Sequence, residues 1–133
     1  MPTVVRKTRE ALVEMRRDIL HAVSWQVRSG IWSPPTDVYE TGDALVVRME
    51  MAGMRDEDFD VIVENETLYI TGSRPDLPER RAYHQMEIRV GKFATAVGLP
   101  APVDVEKARA EYQDGFLTII LPKAIPSQIK VEQ

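Results

Sequence analysis

Ala110-Glu-Tyr-Gln-Asp-Gly-Phe-Leu117, running on into Leu121-Pro-Lys123, decides how this chain folds. Asp114-Gly115 favours the tight turn whose twist matches paired strands, so Ala108–Gln113 and Phe116–Leu121 read as a β-hairpin. Beyond it the sequence closes on Ile129-Lys-Val131. Two aliphatic side chains at i and i+2 point to the same face of an extended segment. This tail has no core of its own and reads as a plug for a groove elsewhere, which points to self-assembly.

Working upstream, the same period-two rule recurs. Ala44–Met51 places Leu45, Val47, Met49 and Met51 on one face and Val46, Arg48 and Glu50 on the other. Phe59, Val61 and Val63 alternate with Asp58, Asp60 and Glu64, and Thr67–Thr71 sets Leu68 and Ile70 against Tyr69. Gly42, Gly53, Asn65-Glu66 and Gly72 punctuate these strands. Residues 73–82, with two prolines and mixed charge, read as an exposed loop that carries a further strand at Tyr83–Val90; Phe93–Leu99 is another. Short strands with turns about every ten residues predict an all-β fold, a two-layer antiparallel sandwich of the immunoglobulin-like kind.

The N-terminal region follows a different period. Leu12, Met15, Ile19, Val23 and Val27 recur at spacings of three and four, with Thr8 as N-cap and Gly30 as stop. An amphipathic helix over 8–28 must bury that stripe on the body, on another copy, or on something else. Pro34-Pro35 ends the helical region. The chain thus divides into a helical arm (1–33), a sandwich (34–122) and an extended tail (123–133).

Charge is unevenly spread. Residues 1–33 hold six Lys/Arg against three acids, a net +3, and the rest hold 11 against 18, a net −7. The arm lacks aromatics set out for base stacking, so nucleic acid is not an expected partner. There is no cysteine, hence no disulfide, thiol nucleophile or thiolate metal site. No apolar run approaches the ~20 residues of a membrane span, and no secretory signal is expected. A cytoplasmic location fits.

Catalytic chemistry finds little footing. His21 lies in the helical region, and His84 and Glu87, three apart in an extended strand, point to opposite faces. Arg55-Asp56-Glu57-Asp58 lacks the alternating oxygens and central glycine of a calcium loop. No phosphate loop, zinc-binding His pair or nucleophile elbow occurs. Neither an enzyme nor a bound metal or cofactor is expected.

From Trp32-Ser-Pro-Pro-Thr-Asp-Val-Tyr-Glu40 through Glu50-Met-Ala-Gly53, Leu68-Tyr-Ile-Thr-Gly-Ser-Arg74, Glu87, Gly91-Lys-Phe93, Leu99-Pro100, the hairpin and Ile129-Lys-Val131, the sequence resembles the small heat shock proteins of the alpha-crystallin domain family, bacterial or archaeal type. The resemblance spans residues 32–133 and implies an ATP-independent holdase built as an oligomer of dimers. It implies that Tyr83, His84, Gln85, Met86, Glu87 and Ile88 form a strand that pairs beside Asp37–Glu40 of a partner subunit. It also implies that Ile129 and Val131 fill a groove lined by Phe59, Val61 and Val63 on one side and Ala108, Ala110 and Tyr112 on the other. Unfolding clients are expected on the arm, at Leu12, Met15, Ile19, Val23 and Trp25, where methionine supplies adaptable apolar surface. Thr95 stands where the family usually has an arginine, and only Ala124–Gln128 links Lys123 to the tail motif, a span of at most ~20 Å. The alternative is a CS-domain-like co-chaperone adaptor, a monomer sharing the sandwich.

Overall fold

The computed structural model describes residues 30–125. Seven strands build two antiparallel sheets: β1 (Thr36–Glu40), β2 (Ala44–Glu50), β3 (Phe59–Glu64), β4 (Thr67–Arg74), β5 (Gly91–Gly98), β6 (Arg109–Gln113) and β7 (Phe116–Pro122). One sheet has the order β1-β2-β7-β6 and the other β3-β4-β5. The expected all-β sandwich is therefore present. It takes in Trp32 and Lys123, just outside the expected 34–122 span, through bridges to Phe93 and Val103.

The alternation in sequence becomes the core. Leu45, Val47 and Met49 of β2 pair across with Leu121, Ile119 and Leu117 of β7, and all six are buried. The facing sheet contributes Phe59, Val61, Leu68, Ile70, Phe93 and Val97 to the same cluster. Trp32 and Phe59 meet Phe93 edge-on, with ring centroids 6.0 and 6.1 Å away. Gly72 makes room for this stack: a Cβ there would lie 2.6 Å from the Phe93 ring and closer still to the Asp58 carbonyl oxygen.

The β6–β7 hairpin turns at Asp114-Gly115, both at positive φ (52° and 82°), as the Asp-Gly pair predicts. The β3–β4 turn adopts the same left-handed conformation at Asn65 and Glu66 (φ 48° and 64°). Glu66 has a Cβ to accommodate there and glycine does not, although glycine costs more entropy on folding. Glu66→Gly is expected to stabilise the domain by about 0.5 kcal/mol, a melting rise of a few degrees by calorimetry. A fall instead would show that the Glu66 side chain contributes more than its backbone strain costs.

Tyr83–Ile88, expected as a strand, is irregular in the single chain. A lone strand has nothing to complete its ladder, and an isolated extended segment is not stable in water. Asp56–Asp58 is one 3-10 turn, with Asp58 Oδ2 accepting from the Arg55 N–H at 2.8 Å. That places this acidic cluster as a structural turn leading into β3.

Candidate functional site

Four sheet edges are available in a seven-strand sandwich of this order: β1 and β6 on one sheet, β3 and β5 on the other. The β5 edge is covered by the chain itself. Trp32 N–H donates to the Lys92 carbonyl (3.3 Å), and Ala94 N–H donates to the Trp32 carbonyl (3.0 Å). The remaining edges are where an association site can be built, because each offers main-chain donors and acceptors in register.

The β1 edge projects beyond the facing three-stranded sheet. Val38 pairs with core-facing Val47 and Tyr39 with Val46, yet Val38 and Tyr39 are 45% and 49% exposed. Glu40 ends this strand and meets Lys123, Nζ to Oε2 at 3.1 Å. The Lys123 side chain is only 3% exposed while Glu40 is 45% exposed, so the pair joins a buried cation to a carboxylate half in water.

The loop between β4 and β5 leaves the body at Arg74 and returns at Arg89. Arg74 anchors its base: Nε and a terminal guanidinium nitrogen both donate to the Arg89 carbonyl, and the guanidinium lies 4.7 Å from the Trp32 ring. Arg81 organises its interior, donating to the Tyr83 hydroxyl (2.8 Å) and the Glu79 carbonyl (3.2 Å) and pairing with Asp76. The hydrogen bond to Tyr83 is the largest of the influences that hold the Arg81 guanidinium above its ordinary pKa. The side chains beyond it are left in solvent: Tyr83, Met86 and Ile88 are 50%, 58% and 75% exposed. His84 and Glu87 are exposed as well, and Gln85 donates to Glu87 at 2.8 Å.

The third feature lies between β3 and β6, the facing edges of the two sheets. Phe59 and Tyr112 stack at 5.3 Å. The Tyr112 hydroxyl donates to the Met51 carbonyl (2.7 Å) and accepts from the Met54 N–H (3.2 Å), which fixes the ring. Of the six residues expected to line a groove here, Phe59, Val61 and Ala110 are buried in the core, and Val63, Ala108 and Tyr112 are half-buried at its margin. The half-buried three are the ones that can meet an incoming side chain. The expected plug, Ile129 and Val131, and the arm residues Leu12, Met15, Ile19, Val23 and Trp25 lie outside the described residues, as does His21.

Thr95 uses its hydroxyl locally, 2.9 Å from that of Ser33, and so ties the arm's root to β5. Sequence reasoning did not find the Lys123–Glu40 pair, whose members are far apart in the chain and carry no local pattern. Among the described residues, no group of three or more His, Asp or Glu is arranged to hold a metal ion, and no helix is long and apolar enough to cross a membrane.

Residues 37–133, well over half of the chain, match the profile of the Hsp20/alpha crystallin family. The chain belongs to this family. Its alpha-crystallin domain is 31% identical over 102 residues to small heat shock protein C4 of Rickettsia felis, a match covering 75% of this chain and 63% of that protein. It is 37% identical over 100 residues to a 17.7 kDa class II heat shock protein of Arabidopsis thaliana, covering 72% and 64%. The chain thus spans less than two thirds of the length of these relatives. Among solved structures it resembles heat shock protein 16.0 of Schizosaccharomyces pombe, with a TM-score of 0.69, 30% identity, and coverage of 76% of this chain and 96% of that one.

Proposed function

We propose that this small heat shock protein is an ATP-independent holdase that binds unfolding proteins, suppresses their aggregation, and assembles from dimers in the cytoplasm. The observation that carries the reading is the coexistence of an exposed β1 edge and an irregular loop that holds Tyr83, Met86 and Ile88 in solvent. These are two halves of a contact that one copy does not close. Tyr83–Ile88 of one subunit pairs with the β1 edge, at Thr36–Glu40, of another. Main-chain bonds give affinity and alternate side chains give register.

Ile129 and Val131 dock between β3 and β6 at the margin formed by Val63 and Ala108, joining dimers into larger assemblies. Burying two aliphatic side chains is worth at most ~3–6 kcal/mol, and ordering the tail offsets part of that. The contact is therefore reversible. Ile129→Ala with Val131→Ala should reduce the assembly to dimers with an unchanged melting temperature, as read by size-exclusion chromatography with light scattering. Assemblies of unaltered mass would remove the tail from the scheme.

Clients are held on the arm, at Leu12, Met15, Ile19, Val23 and Trp25. The direct test is light scattering from a heat-aggregating enzyme, without ATP. Suppression at near-equal subunit ratios is the expected result. A protein that stays folded and monomeric and suppresses nothing would be an adaptor on a partner chaperone instead.

A further inference from the structure

Ile62 is fully buried, 0% exposed, although it lies on the outer face of the three-stranded sheet, away from the sandwich core. It pairs with Tyr69 in β4, which pairs with Ala96 in β5; Asp60, Thr71 and Ala94 form the next row. A fully buried side chain touches about 6–12 residues. On this edge strand the apolar neighbours packed against Ile62 are Tyr69 and Ala94, both only half-buried. One carboxylate oxygen of Glu64, two residues along the same face, is also shut off from solvent. A bare sheet face does not shield an edge isoleucine and a carboxylate oxygen together.

We infer that the outer face of β3-β4-β5 is the docking surface for residues 8–28 of the same chain, whose apolar stripe lies over Ile62, Tyr69 and Ala94. Three observations select this occupant. The chain enters the sandwich at Gly30–Trp32 alongside β5, the strand that borders this face, while the Ser33–Thr95 contact lies on the core-facing side of that strand. Dimensions agree: a helix ~10 Å across covers three strands spaced ~4.8 Å. Charge is complementary, because the arm is net positive, with Arg16 beside its stripe, while Asp60 and Glu64 flank Ile62. Lys92, the basic residue of this face, sits on β5 at the opposite margin from Asp60 and Glu64. Docking covers the stripe assigned above to clients; that consequence rests on the holdase reading, whereas the docking itself does not.

The chain has no cysteine, so introduced pairs report proximity cleanly. Ala94→Cys is combined in turn with Leu12→Cys, Met15→Cys, Ile19→Cys and Val23→Cys, and with Arg17→Cys as an off-stripe control, in the full-length protein under mild oxidation. A disulfide needs Cα atoms within about 7 Å. Intramolecular disulfides at stripe positions, forming at least tenfold faster than at position 17, are expected. Asp60→Asn with Glu64→Gln should slow them severalfold at low salt and leave little difference in 0.5 M salt, where the screening length is only a few Å. No cross-link at any stripe position, equal rates at position 17, or disulfides only between chains would each overturn the inference. Because no client is present, a failure of aggregation suppression with cross-links intact would fall on the holdase reading alone.

Discussion

Replacing Tyr83–Ile88 with a Gly/Ser segment of equal length is expected to convert the protein to a monomer at micromolar concentration without lowering its melting temperature. The second half follows from the fold. Among the described residues these six add no sheet pairing, and Tyr83, Met86 and Ile88 stand in solvent. Loop closure survives because Arg74 holds the Arg89 carbonyl outside the replaced segment. The first half follows from what the segment gives a partner. About four ladder hydrogen bonds at a net ~1 kcal/mol each correspond to roughly a thousandfold in dissociation constant. The exposed Val38 and Tyr39 of the accepting strand add apolar contact to that. Sedimentation velocity reads the outcome. Dimers that persist through the replacement would place the subunit contact on another edge, with β6 the next candidate by its position at the far side of the same sheet.

Gly72→Ala is expected to cost about 3 kcal/mol, a fall of roughly 12–20 °C in melting temperature for a domain of this size. Backbone conformation is not the cause, since Gly72 is absent from the positive-φ positions. The cause is space. The added methyl meets the Asp58 backbone oxygen and the Phe93 ring, and the ring is held between Trp32 and Phe59 with 2% exposure. A ring packed on both sides cannot retreat, and the Asp58 carbonyl is part of the entry into β3. Adding Phe93→Leu should recover only the ring's share of the loss. A melting temperature within 2 °C of wild type would mean that the β4–β5 contact is far looser than described.

How much of this could be read beforehand depended on whether the determining contact is local. Ala44–Glu50 was legible because one face meets the core throughout while Arg48 and Glu50 of the other reach water, although Ala44 and Val46 on that second face are buried too. Asp114-Gly115 was legible because turn geometry restricts which residues fit. Tyr83–Ile88 has the composition of a strand, but pairing is a property of two segments, and the described residues of its own chain offer no second one. Trp32 was grouped with the arm by its neighbours in sequence, yet its place is set by Phe93 and Arg74, which only folding brings near. The six expected groove residues came from the family resemblance, which named strands rather than exposures. It did not separate Phe59, Val61 and Ala110, which the core consumes, from Val63, Ala108 and Tyr112, which keep a face at the margin. Ile62 is the opposite case: its position in the alternation reads as outward, yet it is fully buried.

The Lys123–Glu40 ion pair has a thermodynamic consequence. Lys123 is where the tail begins, and Glu40 belongs to the strand whose edge projects. Water on the exposed carboxylate screens the attraction now. Any strand laid along β1 displaces that water and strengthens the hold on Lys123. By reciprocity, a tail held in one direction favours the strand that covers the edge. In the proposed assembly, pairing and tail placement are thus linked equilibria sharing one charge contact, and strengthening either shifts the other in the same direction.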